Sequence, residues 1–289
     1  MTQVREWKLA RRTLALDGRT LIMGVLNVTP DSFSDGGQFY ALERALAHAA
    51  EMHEAGADII DIGGESTRPG GEGVTTEEEL RRVVPIVERL RAELPDVIIS
   101  VDTTKAEVAR RALDAGAEIV NDISALRFDE RVADEAARAG AGLVLMHSRG
   151  TAATLHSLPP VAHILPEVTE SLRRSIETAV ERGVGLAQIA IDPGIGFGKS
   201  REQNLELLAK LDALAAEFRE FPLLVGTSRK SFIGQLLGGA PPEERLHGTM
   251  ASVTAAILGG AHIVRVHDVR AAVETARIAD AIKEVNRES

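Results

Sequence analysis

Four side chains in this 289-residue sequence are of the kinds that recognise a flat, nitrogen-rich ring: Asp102, Asn121, Asp192 and Lys230. A carboxylate accepts two parallel N–H bonds, so an aspartate facing a guanidine-like ring edge gives bidentate recognition. Lys230 is a point-charge donor for a ring nitrogen or carbonyl. A second set, Arg68, Ser228, Arg265 and His267, can donate to an anion. In RVHDV, Arg265 and His267 lie two apart, so on a strand both face one side. An arginine and a histidine on one face at a strand end suggest phosphate or diphosphate. Asn27 would meet such a group directly or through Mg2+, which takes few protein ligands and keeps its waters. No His/Asp/Glu cluster has the spacing that a tight structural metal demands.

These groups serve one purpose only if the fold gathers them, and their setting says how. Short apolar runs at 21–26, 59–62, 97–101, 118–120, 143–146, 189–191, 223–225 and 263–266 read as strands. Segments 41–54, 76–94, 105–115, 130–139, 165–182, 201–218, 246–258 and 269–285 between and after them read as helices. Continuous apolar strands belong to a sheet covered on both faces. The expected fold class is α/β, a TIM (β/α)8 barrel forming a single domain over 1–289, with a short N-terminal hairpin from 14–18 and 20–26. A barrel typically needs about 250 residues, which this length allows. A doubly wound open sheet is the second choice, but no GxGxxG follows the first strand. EAGADII, DAGAEIV, RAGAGLV and LGGAHIV recur at helix-to-strand turns. Their Gly-Ala pairs supply a left-handed helix cap and a small residue where helix and strand pack closely.

Active sites of barrels form at the C-terminal ends of the strands. Read there in order stand Asn27, Asp61 with Glu65 beyond it, Asp102, Asn121 with Asp122, Met146 with His147, Asp192, Ser228 to Lys230, and Arg265 with His267. A single Asp or Asn at such a place is explained equally by helix capping, but a set recurring at one end is not. Two long βα loops, 31–39 (DSFSDGGQF) and 65–73 (ESTRPGGEG), have the length of lids. A third loop, DPGIGFGK over 192–199, is glycine-rich but lacks phosphate-loop spacing, and Phe197 reads as a pocket wall.

Composition narrows the class. With no cysteine, disulfides, thiolate metal sites and cysteine nucleophiles are excluded. A formal net charge of −10 argues against a nucleic-acid partner, and no run approaches the ~20 apolar residues of a membrane span. The N-terminus lacks the apolar core and cleavage site of a signal peptide, so a cytoplasmic location is the default. WKLARR near the start reads as a solvated basic patch or part of an interface.

The motifs GVLNVTPDSFSDGG, DIGGESTRPG, SVDT, NDIS, IDPGIGFGK, TSRKS and RVHDV, in this order, resemble the dihydropteroate synthase family over almost the whole stretch from Leu21 to Val269. The resemblance implies a TIM barrel, usually a homodimer, taking small-molecule substrates. It implies condensation of (7,8-dihydropterin-6-yl)methyl diphosphate with 4-aminobenzoate to 7,8-dihydropteroate and diphosphate, a step of folate biosynthesis and a sulfonamide target. It makes Asp102, Asn121, Asp192 and Lys230 pterin contacts; Met146 at its strand end and Phe197 as a wall are expected to line the same pocket. Thr67, Arg68, Ser228, Arg265 and His267 fall on the diphosphate side, and Asn27 matches the Mg2+-associated asparagine. Phe33, Pro69 and Ser231 match positions near the aminobenzoate. Asp31, Lys230, Arg265 and His267 are the groups expected to act in catalysis. The sequence departs from the family pattern after Gly70 and at MHSRGTAATLH, where a Gln-Gly pair is common. Rivals are a methyltetrahydrofolate:corrinoid methyltransferase domain, a Schiff-base aldolase using Lys230, and a non-catalytic pterin-binding protein.

Overall fold

The structure is a computed structural model that describes residues 6–28, 37–65, 74–151, 154 and 158–288, leaving aside the side chains of 37–41 and 286–288. Eight strands, β3 (Leu21–Asn27), β4 (Ile59–Gly63), β5 (Ile98–Asp102), β6 (Ile119–Asp122), β7 (Gly142–Met146), β8 (Ile189–Asp192), β9 (Leu224–Val225) and β10 (Ile263–Val266), form one parallel sheet. Its order, β8-β7-β6-β5-β4-β3-β10-β9, is closed by a bridge between Ile191 and Leu223. The expected TIM barrel is therefore present. The helices around it are α1 (Gly37–Glu54), α2 (Thr76–Glu93), α3 (Ala106–Ala115), α4 (Arg131–Ala139), α5 (Ile164–Glu181), α6 (Arg201–Ala209), α7 (Leu211–Glu217), α8 (Ser231–Leu236), α9 (Leu246–Leu258) and α10 (Val269–Glu288).

Two helical segments differ from the sequence reading. The helix expected over 201–218 breaks at Lys210 into α6 and α7, with buried Leu211 and Leu214 on the second piece. The short helix α8 begins at the last residue of TSRKS, where no element was expected.

The helix-to-strand turns behave as the repeats require. Gly56, Gly116, Gly140 and Gly260 all have positive φ, between 64° and 119°. Each donates its N–H back to a carbonyl three residues earlier, and each following alanine donates to one five residues earlier, as in Ala117 to Ala112. This is the Schellman pairing that satisfies the last helix carbonyls. The alanines Ala57, Ala117, Ala141 and Ala261 are all buried.

Side-chain alternation along the strands makes two apolar shells. Outward residues such as Ile60, Ile99, Val120, Leu143 and Val264 pack under the helices. Inward residues Leu21, Met23, Ile59, Ile98, Ile119, Val144, Ala190, Leu224 and Ile263 fill the lower barrel. The N-terminal hairpin plugs it from below. Its strands are β1 (Glu6–Lys8) and β2 (Thr13–Ala15), paired with each other, so the turn expected between 14–18 and 20–26 is displaced. Trp7 is fully buried and its Nε1 donates to the Gln188 carbonyl at 2.8 Å. A Cβ on Gly142 would lie 2.6 Å from Leu9 Cδ2 and 3.0 Å from the Trp7 ring, so only glycine lets the plug seat. Arg12 donates to the buried Glu118 carboxylate at 3.0 Å. WKLARR thus stoppers the barrel with Trp7 and Leu9, while Lys8 and Arg11 stay exposed.

Candidate active site

The same alternation, continued upward, changes chemistry. Two residues beyond the apolar inward layer come Val25, Asp61, Ser100, Asn121, Met146, Asp192, Gly226 and Arg265. Two further on come Asn27, Gly63, Asp102, Ile123, Ser148, Gly194, Ser228 and His267. Strand register alone therefore brings Asn27, Asp102, Asn121, Met146, Asp192, Ser228, Arg265 and His267 to one mouth, at the C-terminal ends of the strands.

An ionic network fills the lower of these layers. Arg265 donates from Nε to Asp61 Oδ2 at 2.6 Å and from Nη2 to Asp102 Oδ2 at 2.8 Å. Asn121 Nδ2 donates to the same Asp61 oxygen at 3.0 Å. Asp61 is fully buried, and its Oδ1 has no protein partner among the described residues; neither has the buried Ser100 hydroxyl. Asp61 stood in the sequence as a strand-end carboxylate without an assigned role. It is the hub that orients Arg265 and Asn121. The signal was its parity, two residues above an inward isoleucine. Asp122, read beside Asn121 as a mouth residue, has the opposite parity. Its carboxylate accepts from the N–H and O–H of Ser124 and the N–H of Leu126, and so folds the turn in which Ala125 and Leu126 take positive φ.

Asp192 is buried and accepts from the Gly194 N–H at 2.6 Å. Lys230 lies with Nζ 3.8 Å from the centroid of the Phe197 ring, a cation–π contact. Phe197, Met146 and Ile123 form a separate apolar patch at the mouth. The mouth thus offers one greasy wall and a rim of acceptors and donors. Ser231, the first residue of α8, is exposed just beyond Lys230. Asp31, Phe33, Thr67, Arg68 and Pro69, and most of the loops 31–39 and 65–73, lie outside the described residues.

Burial dominates the proton affinities here. It pushes Asp192 up to about 6, against the Gly194 N–H, Lys230, Lys199 and Arg265. It pushes Asp102 up as well, opposed by Arg265. Burial and then Arg265 press Lys230 down to about 7, while Asp192 and Asp102 pull it up. Burial would lower Arg265 too, but Asp61 and Asp102 outweigh it, and the guanidinium stays charged. His267 is pushed down to about 3 by burial, Arg265, Arg229 and Lys230, so its ring is neutral. Ser228 Oγ accepts from the His267 backbone N–H at 3.2 Å and lies 3.0 Å from Nδ1. A hydroxyl that donates to Nδ1 would leave Nε2 as the proton-bearing nitrogen.

A metal would find a single kind of place. Asn27 and Asp102 flank Gly63, where a Cβ would lie 3.7 Å from Asn27 Oδ1 and 3.8 Å from Asp102 Oδ2. Among the described residues no cluster of three or more His, Asp or Glu is gathered to enclose an ion. One amide and one carboxylate at an open rim suit a hard cation that keeps most of its waters.

Residues 23–267 match the family described as pterin binding enzymes. The chain is 50% identical over 264 residues to a dihydropteroate synthase of Synechocystis sp., covering 91% of this chain and 90% of that protein. It superposes with a TM-score of 0.89 on a Xanthomonas albilineans dihydropteroate synthase solved with 4-aminobenzoic acid, at 44% identity over 98% of this chain and 99% of the other. A Burkholderia cenocepacia dihydropteroate synthase complexed with 7,8-dihydropteroate superposes at 0.86, with 36% identity over 100% of both chains.

Proposed function

The chain belongs to the pterin binding enzymes, and among them to the dihydropteroate synthases, and we propose from this and from its mouth how it works. It is a transferase of folate biosynthesis that condenses (7,8-dihydropterin-6-yl)methyl diphosphate with 4-aminobenzoate to 7,8-dihydropteroate and diphosphate. The observation that carries the residue assignment is the double polar layer, in which Asp102, Asn121 and Asp192 face one mouth with Arg265, His267 and Ser228, while Lys230 comes to the Phe197 ring from the loop after β9.

The pterin lies against Phe197 and Met146. Asp192 takes two N–H bonds from its guanidine-like edge, Asn121 and Asp102 meet other ring edges, and Lys230 donates to the ring. The diphosphate lies toward Arg265, Ser228 and the Nε2–H of His267, with Thr67 and Arg68 from the second loop. The C–O bond to diphosphate breaks first, its electron pair leaving with the diphosphate, and ring nitrogen lone pairs spread the positive charge left on the methylene carbon. Positioned donors lower the cost of that charge separation. The arylamine of 4-aminobenzoate, held near Phe33, Pro69 and Ser231, then attacks the carbon with its lone pair, forming the C–N bond, and gives up one N–H proton to water or the released diphosphate. It is unprotonated at neutral pH, so the site needs no strong general base; Asp31 lies in the loop that shields the cation from water.

Asn27, with Asp102 beside it, would hold Mg2+ at the rim. Bound there, the ion adds positive charge where the diphosphate leaves. The chain works as one pterin-binding unit over 1–289, in the cytoplasm, as a homodimer. Exposed Ile278, Ile282 and Val285 at helical spacing on α10, with Leu258 exposed on the adjoining α9, support an apolar face for a second copy. No helix among the described residues is long and apolar enough to cross a membrane. Incubation with the pterin diphosphate, Mg2+ and 4-aminobenzoate should give dihydropteroate, and no product would overturn the reading.

A further inference from the structure

The glycine loop after β8 contains a lysine that the chemistry above leaves unused. Lys199 Nζ donates to three main-chain carbonyls: Gly194 at 2.7 Å, Phe197 at 3.1 Å and His147 at 3.2 Å. An ammonium has three N–H donors, and here each meets an oxygen. Among the described residues Lys199 forms no ion pair with a carboxylate, although 24 ion pairs occur elsewhere in the structure. Burial pushes it well below the ordinary lysine value, against Asp192 and with the nearby cations Lys230, Arg149 and Arg127.

The three carbonyls come from two places. His147 directly follows β7, whereas Gly194 and Phe197 belong to the loop after β8. The two are pressed together: a Cβ on Gly194 would lie 1.8 Å from the His147 carbonyl oxygen. Gly196, on the same loop, leaves room for Lys230, whose Cδ would lie 2.9 Å from a Cβ there. The loop therefore fixes the Phe197 ring, and the ring carries the Lys230 ammonium.

We propose that Lys199 is a positioning residue for the pterin site: by tying the loop after β8 to the end of β7, it sets the Phe197 ring and, through it, Lys230. This rests on the pterin reading of the mouth. Arginine is a poor substitute, because a planar fork cannot point at three converging carbonyls.

The test is steady-state kinetics with each substrate varied in turn, after counting intact sites. Lys199→Met keeps the chain length and removes the ammonium. It should raise KM for the pterin diphosphate at least ~10-fold, since small misplacements of a binding group are costly. KM for 4-aminobenzoate should stay within about 2-fold, a split that a loss of folded protein would not produce. If Lys199→Met does not fold, Lys199→Arg is measured the same way and should raise the pterin KM by about 3-fold. In a double-mutant cycle, Lys199→Met should add little to Phe197→Ala, because it acts through that ring. Unchanged pterin KM in the folded variant, or full additivity with Phe197→Ala, would overturn the proposal while wild-type turnover left the functional reading standing. No turnover by the wild-type chain would overturn both.

Discussion

The lower end of the barrel and its mouth are made by the same strands, two residues apart in register, and they differ in every energetic respect. Below, Met23, Ile59, Ile98, Ile119 and Val144 meet the Trp7 plug, and polar groups pair there in the Trp7–Gln188 hydrogen bond and the Arg12–Glu118 pair. Above, Asp61, Asp102 and Asp192 are held in a low-dielectric layer by one guanidinium and one lysine, and Asp61 Oδ1 and Ser100 Oγ stay without protein partners. The lower end earns stability through burial. The mouth gives some up, because ionised groups taken from water are only partly compensated. The division shows which substitutions should alter folding and which should alter chemistry.

Arg265→Ala should cross that division and have the largest effect. It should cut turnover at least ~10-fold, about 1.4 kcal/mol or more of transition-state stabilisation. It also strands two buried carboxylates, at a stability cost on the order of 3 kcal/mol. Kinetics and urea unfolding on one sample check both, and an unchanged rate would remove Arg265 from the site. Trp7→Ala should act below only. Loss of a buried aromatic costs about 3–5 kcal/mol, while both KM values at a temperature where the variant is folded should stay at wild-type levels. A shifted pterin KM would show that the plug and the mouth are not independent.

Asp192→Asn should behave in the opposite way in a melt. Burial lifts the folded carboxyl to about 6, above the ordinary aspartate range, so the folded state holds the proton more tightly. Its contribution to stability is fully present below the unfolded value and is lost as pH rises through about 6. Asparagine removes that loss. The variant should melt no lower than wild type at pH 8, with any gap closing below about pH 4. A clearly lower midpoint at pH 8 would mean that the ionised carboxylate is stabilising. The smallest effect is a pH profile. Pterin affinity should fall below about 6 as Asp192 takes a proton and above about 7 as Lys230 loses one. Lys230→Met should flatten the alkaline limb, and an unaltered limb would assign it elsewhere.

The barrel was legible because strands buried on both faces read as unbroken apolar runs and because the Gly-Ala turns repeat. The mouth was legible to the extent that strand ends are. Asp102, Asn121, Asp192, Arg265 and His267 were found by position, and the structure gathers them. Asp61 was seen but given no part, since its partner Arg265 lies 204 residues away and only barrel closure joins them. Trp7 and Leu9 alternate as a strand should, yet the charges around them masked the pattern, so the plug was missed. Lys199 was hidden for another reason: nothing local shows that its ammonium meets the His147 carbonyl on the neighbouring strand end.

Pterin binding by calorimetry, wild type against Asp192→Asn at pH 7.5, tests the assignment of the mouth most directly. An affinity at least ~100-fold weaker in the variant, from a bidentate acceptor lost in a buried site, is the expected result. Equal affinity in a folded variant would mean that the ring is held by other groups, and the double polar layer would lose its meaning as a pterin site.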